Sequence, residues 1–463
     1  MINKRSTTLS LCLALLIVSA ACSNSTNPAS TGKQEANGTT KAIPKVKLKY
    51  WTPDRGFSEQ IREEVDRFNK TNTDNIEVEL TIMAENYPQS VDIAFSSNQA
   101  PDIIRVNNVT FMPFLKKGYL DPLDTYIPAE MKKKFETVLS EEINTKDGKI
   151  YSLPNYGYTH RLVYNKDLFE KAGIKNPPQT LDELVATAKK LTEAGNGASF
   201  GFSANLKSSL NAIERSPRAI AELSGYPGYG YDFKTGKYDF SGYQAIIEAF
   251  RQMKKDGSFF PGSESLDIDP LRAQFAEGKI GMYISISAEP NVYKQQFPAK
   301  IKWGAALPPT IDGNIRGAIG LTQAGAWLSL SSKSEHKAEA WKFLQYLYGD
   351  EVLNSYYEKG LGTSLVPFVL SNAKKPQLEG VEGFLPTKYD TLQPASPTIT
   401  VDGMNYGDAF LRYILDGGDL AKTIADLNQR YNQSLDKARQ SGDVKLAADP
   451  SFDPAKLQGK LVK

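Results

Sequence analysis

The chain has 463 residues, 40% apolar and 23% charged, with 55 Lys and Arg against 53 Asp and Glu, a formal charge of +2. That length suggests about two or three domains rather than one core, and the near-neutral balance excludes an electrostatic footprint for nucleic acid or an anionic membrane surface. Only two histidines, His160 and His336, and two cysteines, Cys12 and Cys22, are present, so zinc sites, histidine triads and haem ligation lack raw material, and no cofactor, metal or catalytic residue is expected.

The N-terminus opens with Lys4 and Arg5, then an apolar run from Leu9 to Val18, then Ser19-Ala20-Ala21-Cys22. The run is too short for a membrane span and suits a signal-peptide core. The Ala-Ala-Cys end resembles the lipobox of bacterial lipoproteins, with Ser19 where that motif usually carries leucine. The resemblance implies a signal peptide over 1–21, lipidation (palmitate among the acyl groups) at Cys22, and attachment to the outer face of the cell membrane. The other reading is cleavage after Ala21 with a free thiol. Residues 22–44, rich in Ser, Thr, Asn, Gly and Ala, read as a flexible tether.

Val46 to Trp51 alternates apolar and charged residues and predicts a half-buried strand. A loop through Pro53-Asp54-Arg55-Gly56 precedes a helical pattern over Phe57 to Phe68, and Ile76 to Met83 alternates again. The unit is βαβ, which implies a parallel sheet with ligands collecting at its carboxyl edge, where Trp51, Asp54 and Arg55 fall. After a helix near Gln89 to Ser96, the run Ala100-Pro101-Asp102-Ile103-Ile104-Arg105-Val106 predicts a strand delivering Asn107 and Asn108 to the same edge. Gly148 to Asn165 then combines a turn signal, two short β runs and a Pro154–Gly157 break with four tyrosines. It reads as a strand leaving one domain for another, with Tyr156 and Tyr158 facing a cleft.

The ordered series Tyr50-Trp51, Ala100-Pro101-Asp102-Ile103, Gly118-Tyr119-Leu120-Asp121-Pro122-Leu123-Asp124 and Gly148-Lys149-Ile150-Tyr151-Ser152-Leu153-Pro154 resembles the first lobe of the extracellular solute-binding proteins of ABC transporters. The maltose-binding-protein-like carbohydrate branch, family 1, is the nearest pattern. The resemblance implies an α/β, two-lobed periplasmic-binding-protein-like fold of class II type, with three interlobe crossings and a ligand cleft between the lobes. Thr180 and Glu183 form a capping signature before an amphipathic run through Leu191. Gly278 to Ser285 looks like a strand returning to the first lobe, Trp303 to Pro308 would lie in that lobe, and Thr322 to Ser332 looks like the third crossing. The expected lobes are therefore 45–157 with 285–327, and 158–284 with 328–463.

Sugars present C–H faces that stack on aromatic rings and hydroxyls that need Asp, Asn, Gln or Arg partners. The candidates are Trp51, Asp54, Arg55, Asn107, Tyr156, Tyr158, Ser285, Ser287, Glu289, Trp327 and Tyr406. Family members often carry tryptophan after the second crossing, where this chain has Ala288-Glu289-Pro290. Arg55, Arg105, Arg161 and Arg316 are the residues a uronate would need, but they are dispersed, and a neutral sugar or oligosaccharide is the expected ligand. The implied partner is an ABC permease, with the protein itself a monomer. Two other classes remain open: an exported carbohydrate-active enzyme using a pair such as Asp54 and Glu289, and a sensor subunit of the same fold.

Overall fold

Strand β1 (Val46–Thr52) realises the alternation of its sequence, with Leu48, Tyr50 and Thr52 buried and Lys47 and Lys49 turned to water. The computed structural model describes residues 45–54, 57–83, 85–107, 110–322 and 327–455. The expected signal peptide, Cys22, the tether, Arg55 and Asn108 lie outside the described residues. Helix α1 (Ser58–Thr71) buries the stripe Ile61, Val65 and Phe68 and leads to β2 (Ile76–Ile82), parallel to β1 along its full length. After α2 (Tyr87–Ser96), β3 (Ile103–Val106) joins the other side of β1, buried on both faces as an interior parallel strand must be. β4 (Leu120–Asp121) forms the far edge.

The chain leaves this sheet through β5 (Tyr156–Gly157) and enters a second one at β6 (His160–Asn165). Helix α3 (Leu181–Gly195) starts at its capping signature: Thr180 Oγ1 accepts from the Glu183 N–H at 3.1 Å, and the Glu183 carboxylate accepts from the Gln179 N–H at 2.7 Å. β7 (Phe200–Phe202) runs beneath α3, where Gly201 approaches the Ala188 carbonyl so closely that any Cβ would overlap it. Helices α4 (Ser209–Arg215), α5 (Pro217–Leu223), α6 (Gln244–Lys255) and α7 (Ile268–Ala276) follow, then β8 (Ile280–Ile286), α8 (Glu289–Gln295) and β9 (Trp303–Ala306). The second sheet has the order β9-β6-β8-β7.

β10 (Ile319–Gly320) precedes β11 (Trp327–Ser331), which inserts antiparallel between β3 and β4 and completes the first sheet as β2-β1-β3-β11-β4. Helices α9 (Lys337–Leu347) and α10 (Asp350–Glu358) pack on that sheet, with Phe343, Leu344 and Leu353 in one core with Leu48, Tyr50 and Phe68. β12 (Thr363–Ser364) pairs with β5, and β13 (Asp390–Thr391) pairs with β10. The last helices, α11 (Tyr406–Asp416) and α12 (Leu420–Gln440), bury Phe410 and Leu427 in the second core beside Leu184, Phe202 and Phe250.

Three expectations about the lobes need correction. Trp303–Ala306 lies not in the first lobe but in the second sheet, antiparallel to β6, with Trp303 packed on Tyr293 and Phe275. The stretch after Ser285 is not a crossing: it turns through α8, which touches both cores through Val292 and Tyr293, and returns. Residues 328–369 belong to the first lobe rather than the second, because β11, α9 and α10 fill its sheet and core. The chain crosses near 153–160, again between β10 and β11, and last between β12 and β13. Local pattern identified these strands, but long-range pairing decides which sheet a strand joins.

Candidate ligand-binding site

Asp54 leaves the carboxyl end of β1 and is held by its neighbours. Its Oδ2 accepts from Arg105 Nε at 2.8 Å and from Thr52 Oγ1 at 3.1 Å. Arg105, at the end of β3, is buried, and its guanidinium also donates to the Val106 carbonyl. Residues of the first lobe thus present one ion pair at the sheet's carboxyl edge.

Tyr156 and Tyr158 stand at the first crossing, both buried, with ring centroids 5.9 Å apart at 72°. Tyr156 stacks on Tyr356 at 5.3 Å and meets the edge of Phe57. Tyr158 is fixed by its backbone, donating to and accepting from Thr322 at 2.8 and 3.1 Å. Burial pushes the Tyr158 hydroxyl well above its usual range, with the Asp54 charge adding to the shift while Arg272 and Arg105 oppose it. Tyr158 therefore lies within electrostatic reach of both the Asp54–Arg105 pair and Arg272.

Arg272 belongs to the opposing wall. Its Nε and Nη2 donate to Glu289 at 2.8 to 3.0 Å, and its Nη1 to Asp269 at 3.0 Å. Glu289, fully buried at the start of α8, also accepts from Ser285 Oγ at 2.6 Å, and Ser285 accepts from Arg215 Nη1 at 3.1 Å. Thus Ser285 and Glu289, four residues apart across the β8–α8 turn, form one network with Arg272 and Arg215. Ser287 is also buried, but it braces the crossing: its Oγ accepts from the Thr159 N–H at 3.3 Å and meets Thr363 Oγ1.

The other candidates stand elsewhere. Trp51 points to the sheet face opposite Tyr50 and lines an outer groove with Met83 and the exposed Ile93. Asn107 caps the following turn, its Oδ1 accepting from the Thr110 N–H at 2.9 Å. Trp327 is buried among Phe111, Phe114 and Tyr87 under the same outer face, with its indole N–H unpartnered. Tyr406 belongs to the second core, stacked on Phe240 at 5.2 Å and donating to Glu214 at 3.1 Å. Among the four arginines named for a uronate, Arg105 pairs with Asp54, Arg161 with the buried Asp390, and Arg316 with Asp312 on the surface.

Sequence reasoning missed Arg215 and Arg272. Both sit in amphipathic helices where an arginine reads as a solvated face, and only the Ser216-Pro217 break, which ends α4 at Arg215, hinted at a special position. It also missed His160, buried at the second lobe's entry strand with Arg218 Nη2 3.1 Å from its Nε2. Burial, then Arg218, Arg215 and Arg161, push the His160 imidazole well below its usual range, so it is neutral.

The sequence model of the family described as bacterial extracellular solute-binding protein matches residues 55–353. A putative binding protein of Brucella abortus (strain 2308) is 34% identical over 262 residues, 56% of this chain and 60% of that protein. The chain thus spans only about three fifths of the length of that relative. The sn-glycerol-3-phosphate-binding periplasmic protein UgpB of Yersinia pseudotuberculosis serotype I is 25% identical over 336 residues, covering 69% of this chain and 74% of UgpB. Among solved structures, the maltose/maltodextrin-binding domain MalE of Bdellovibrio bacteriovorus bound to maltotriose superposes with a TM-score of 0.62 at 20% identity, over 84% of this chain and all of that one. That likeness establishes the two-lobed fold.

Proposed function

The chain belongs to the bacterial extracellular solute-binding protein family, and from that premise we propose that it captures a sugar or oligosaccharide between its lobes and delivers it to the permease of an ABC importer. The observation that carries the reading is the buried Tyr156–Tyr158 pair at the first crossing, Tyr158 being within electrostatic reach of both the Asp54–Arg105 pair of one wall and Arg272, the partner of Glu289, on the other. An aromatic face flanked by forked donors and acceptors matches a sugar ring and its hydroxyls. The saccharide named for the MalE structure agrees with this chemistry, and the glycerol phosphate named for UgpB shares its polyol part.

Capture proceeds by hinge closure. The crossings at β5–β12 and β10–β13 are two-residue pairings, which leave the lobes free to rotate about them. A ligand touching both walls binds the closed form better and shifts the population by that difference. A hydrolytic role finds no support, because Asp54 accepts from Arg105 Nε and Glu289 is engaged by the Arg272 fork. In this reading residues 1–21 are removed, Cys22 carries the lipid, and residues 22–44 tether a monomeric receptor outside the cell membrane. Among the described residues no helix is long and apolar enough to cross a membrane.

The test is a thermal-shift screen of the mature protein against plant and bacterial oligosaccharides, because a ligand of the folded form raises Tm by mass action. A saccharide that shifts Tm without new reducing ends supports capture. Turnover, or a shift only by peptides or polyamines, refutes it. Radiolabelled fatty acid incorporation lost in Cys22→Ser tests the anchor.

A further inference from the structure

The arginines around the crossing are matched with carboxylates, with one exception. Arg105 pairs with Asp54, Arg161 with Asp390, Arg218 with Glu222 and Arg272 with Glu289, all within 2.8 Å. Arg215 makes no ion pair among the described residues. Its Nη1 donates to Ser285 Oγ at 3.1 Å, whose own proton goes to Glu289 at 2.6 Å, so the serine offers it only a neutral oxygen. Its Nε is buried and has no hydrogen-bond partner.

The nearest carboxylates are committed elsewhere. Glu289 receives three hydrogen bonds from Arg272. Glu214, the preceding residue, accepts the Tyr406 hydroxyl at 3.1 Å and feels Arg218. Burial first, and then the charge of Arg272, push Arg215 down to about 10, with Glu289 only partly offsetting them, the response of a cation without a counter-ion in direct contact. An uncompensated guanidinium beside another is unfavourable until an anion arrives. Arg215 as a whole residue is half-buried while its Nε is covered, so an anion reaches that edge only when the neighbouring side chains part; the guanidinium lies within electrostatic reach of Tyr158.

We propose that the captured saccharide carries an anionic group, a carboxylate or a phosphate, and that the free Nε edge of Arg215 receives it. This assignment rests on the capture reading and narrows its ligand class. Ser285 orients the guanidinium by accepting from Nη1, leaving Nε and the second Nη as a fork of the spacing that a carboxylate or phosphate matches. Arg272, though neutralised by Glu289, keeps the wall from offering a competing carboxylate.

The test is calorimetric titration of the mature protein with matched ligands: a neutral oligosaccharide and its uronic-acid counterpart, and a sugar with its phosphate ester, using wild type, Arg215→Gln and Arg215→Lys. A charged hydrogen-bonded contact is expected to make the anionic twin bind about tenfold to a hundredfold more tightly. Arg215→Gln should erase that preference, and Arg215→Lys should keep part of it. The uronate and phosphate arms identify which anion is read. Because the charge is unpaired, Arg215→Gln should also melt no lower than wild type, which guards against a folding artefact. If neutral and anionic twins bind equally and Arg215→Gln weakens both alike, the anion site is refuted while sugar capture stands. If no saccharide binds but inorganic phosphate does, in an Arg215-dependent way, the anion site stands and sugar capture falls. Failure of every probe overturns both.

Discussion

Asp390→Ala should be among the most damaging single substitutions outside the apolar cores. Asp390 and Arg161 form an ion pair at 2.6 Å, each with side chains about 1% exposed. Arg161 also donates to the carbonyls of His160, Gly383 and Leu385, at 2.8, 2.9 and 3.0 Å. One guanidinium therefore ties the first crossing to the segment that makes the last one. Removing the carboxylate leaves a buried cation with backbone acceptors but no counter-charge, a loss of about 3–5 kcal/mol. Arg161→Met should cost somewhat less, because Asp390 keeps the Thr387 N–H at 2.8 Å and the Thr387 hydroxyl at 3.0 Å. The double mutant Arg161→Met with Asp390→Leu should cost less than the sum of the singles, since it buries no lone charge. Urea unfolding followed by tryptophan fluorescence measures each value from the midpoint at constant slope. An Asp390→Ala cost below about 1 kcal/mol, or strict additivity in the double mutant, would refute the assignment of this pair as the clasp of the crossings.

His160 is held neutral by burial and by Arg218, Arg215 and Arg161. Its folded pKa is depressed, so its contribution is present above the unfolded value of 6.5 and is lost as pH falls; stability should drop by about 1.4 kcal/mol per pH unit below it, on account of one proton. A pH series of unfolding midpoints in which His160→Gln shows the same slope as wild type sinks this account. Trp51→Ala should leave ligand affinity within about twofold, because the ring faces the outer groove with Met83, while costing about 1–3 kcal/mol of stability; a large loss of binding without loss of stability returns Trp51 to the cleft. Gly201→Ala should destabilise by about 1–3 kcal/mol, since its Cβ would overlap the Ala188 carbonyl of the overlying helix; an unchanged melting temperature contradicts that packing.

Elements whose signals are local were readable in the sequence. The alternation of Val46–Thr52 and the Thr180–Glu183 cap need only neighbours within a few residues, and both recur in the structure. Sheet membership was not readable, because Trp303–Ala306 pairs with a strand some 140 residues away, and nothing in its four residues specifies the partner. For the same reason, four candidates converge on one seam while others do not. Asp54, Tyr158 and Glu289 follow strand ends, and Ser285 lies near the end of β8, at places that the topology brings together. Trp51, Trp327 and Tyr406 carry the same aromatic chemistry, but the strand face or helix face they occupy sends them into packing. The arginine roles were least legible: Arg161 and its partner lie 229 residues apart, and that Arg215 lacks a carboxylate is a property of the assembled wall alone.

The way the pairs are distributed bears on the proposed hinge closure. Asp54 and Arg105 both stand on the first sheet, whereas Arg272 and Glu289 both stand on helices of the second wall, at 2.8 Å within each pair. In the proposed hinge closure, opening would separate the two pairs without breaking either, so that no buried charge would be stranded. The clasp of Arg161 and Asp390 likewise joins β6 to β13. In the proposed hinge closure, what the two forms exchange is therefore burial about Tyr158 and the surroundings of Arg215. A ligand that completes the environment of Arg215 while covering Tyr158 gains in the closed form alone, which is the differential affinity that hinge closure requires.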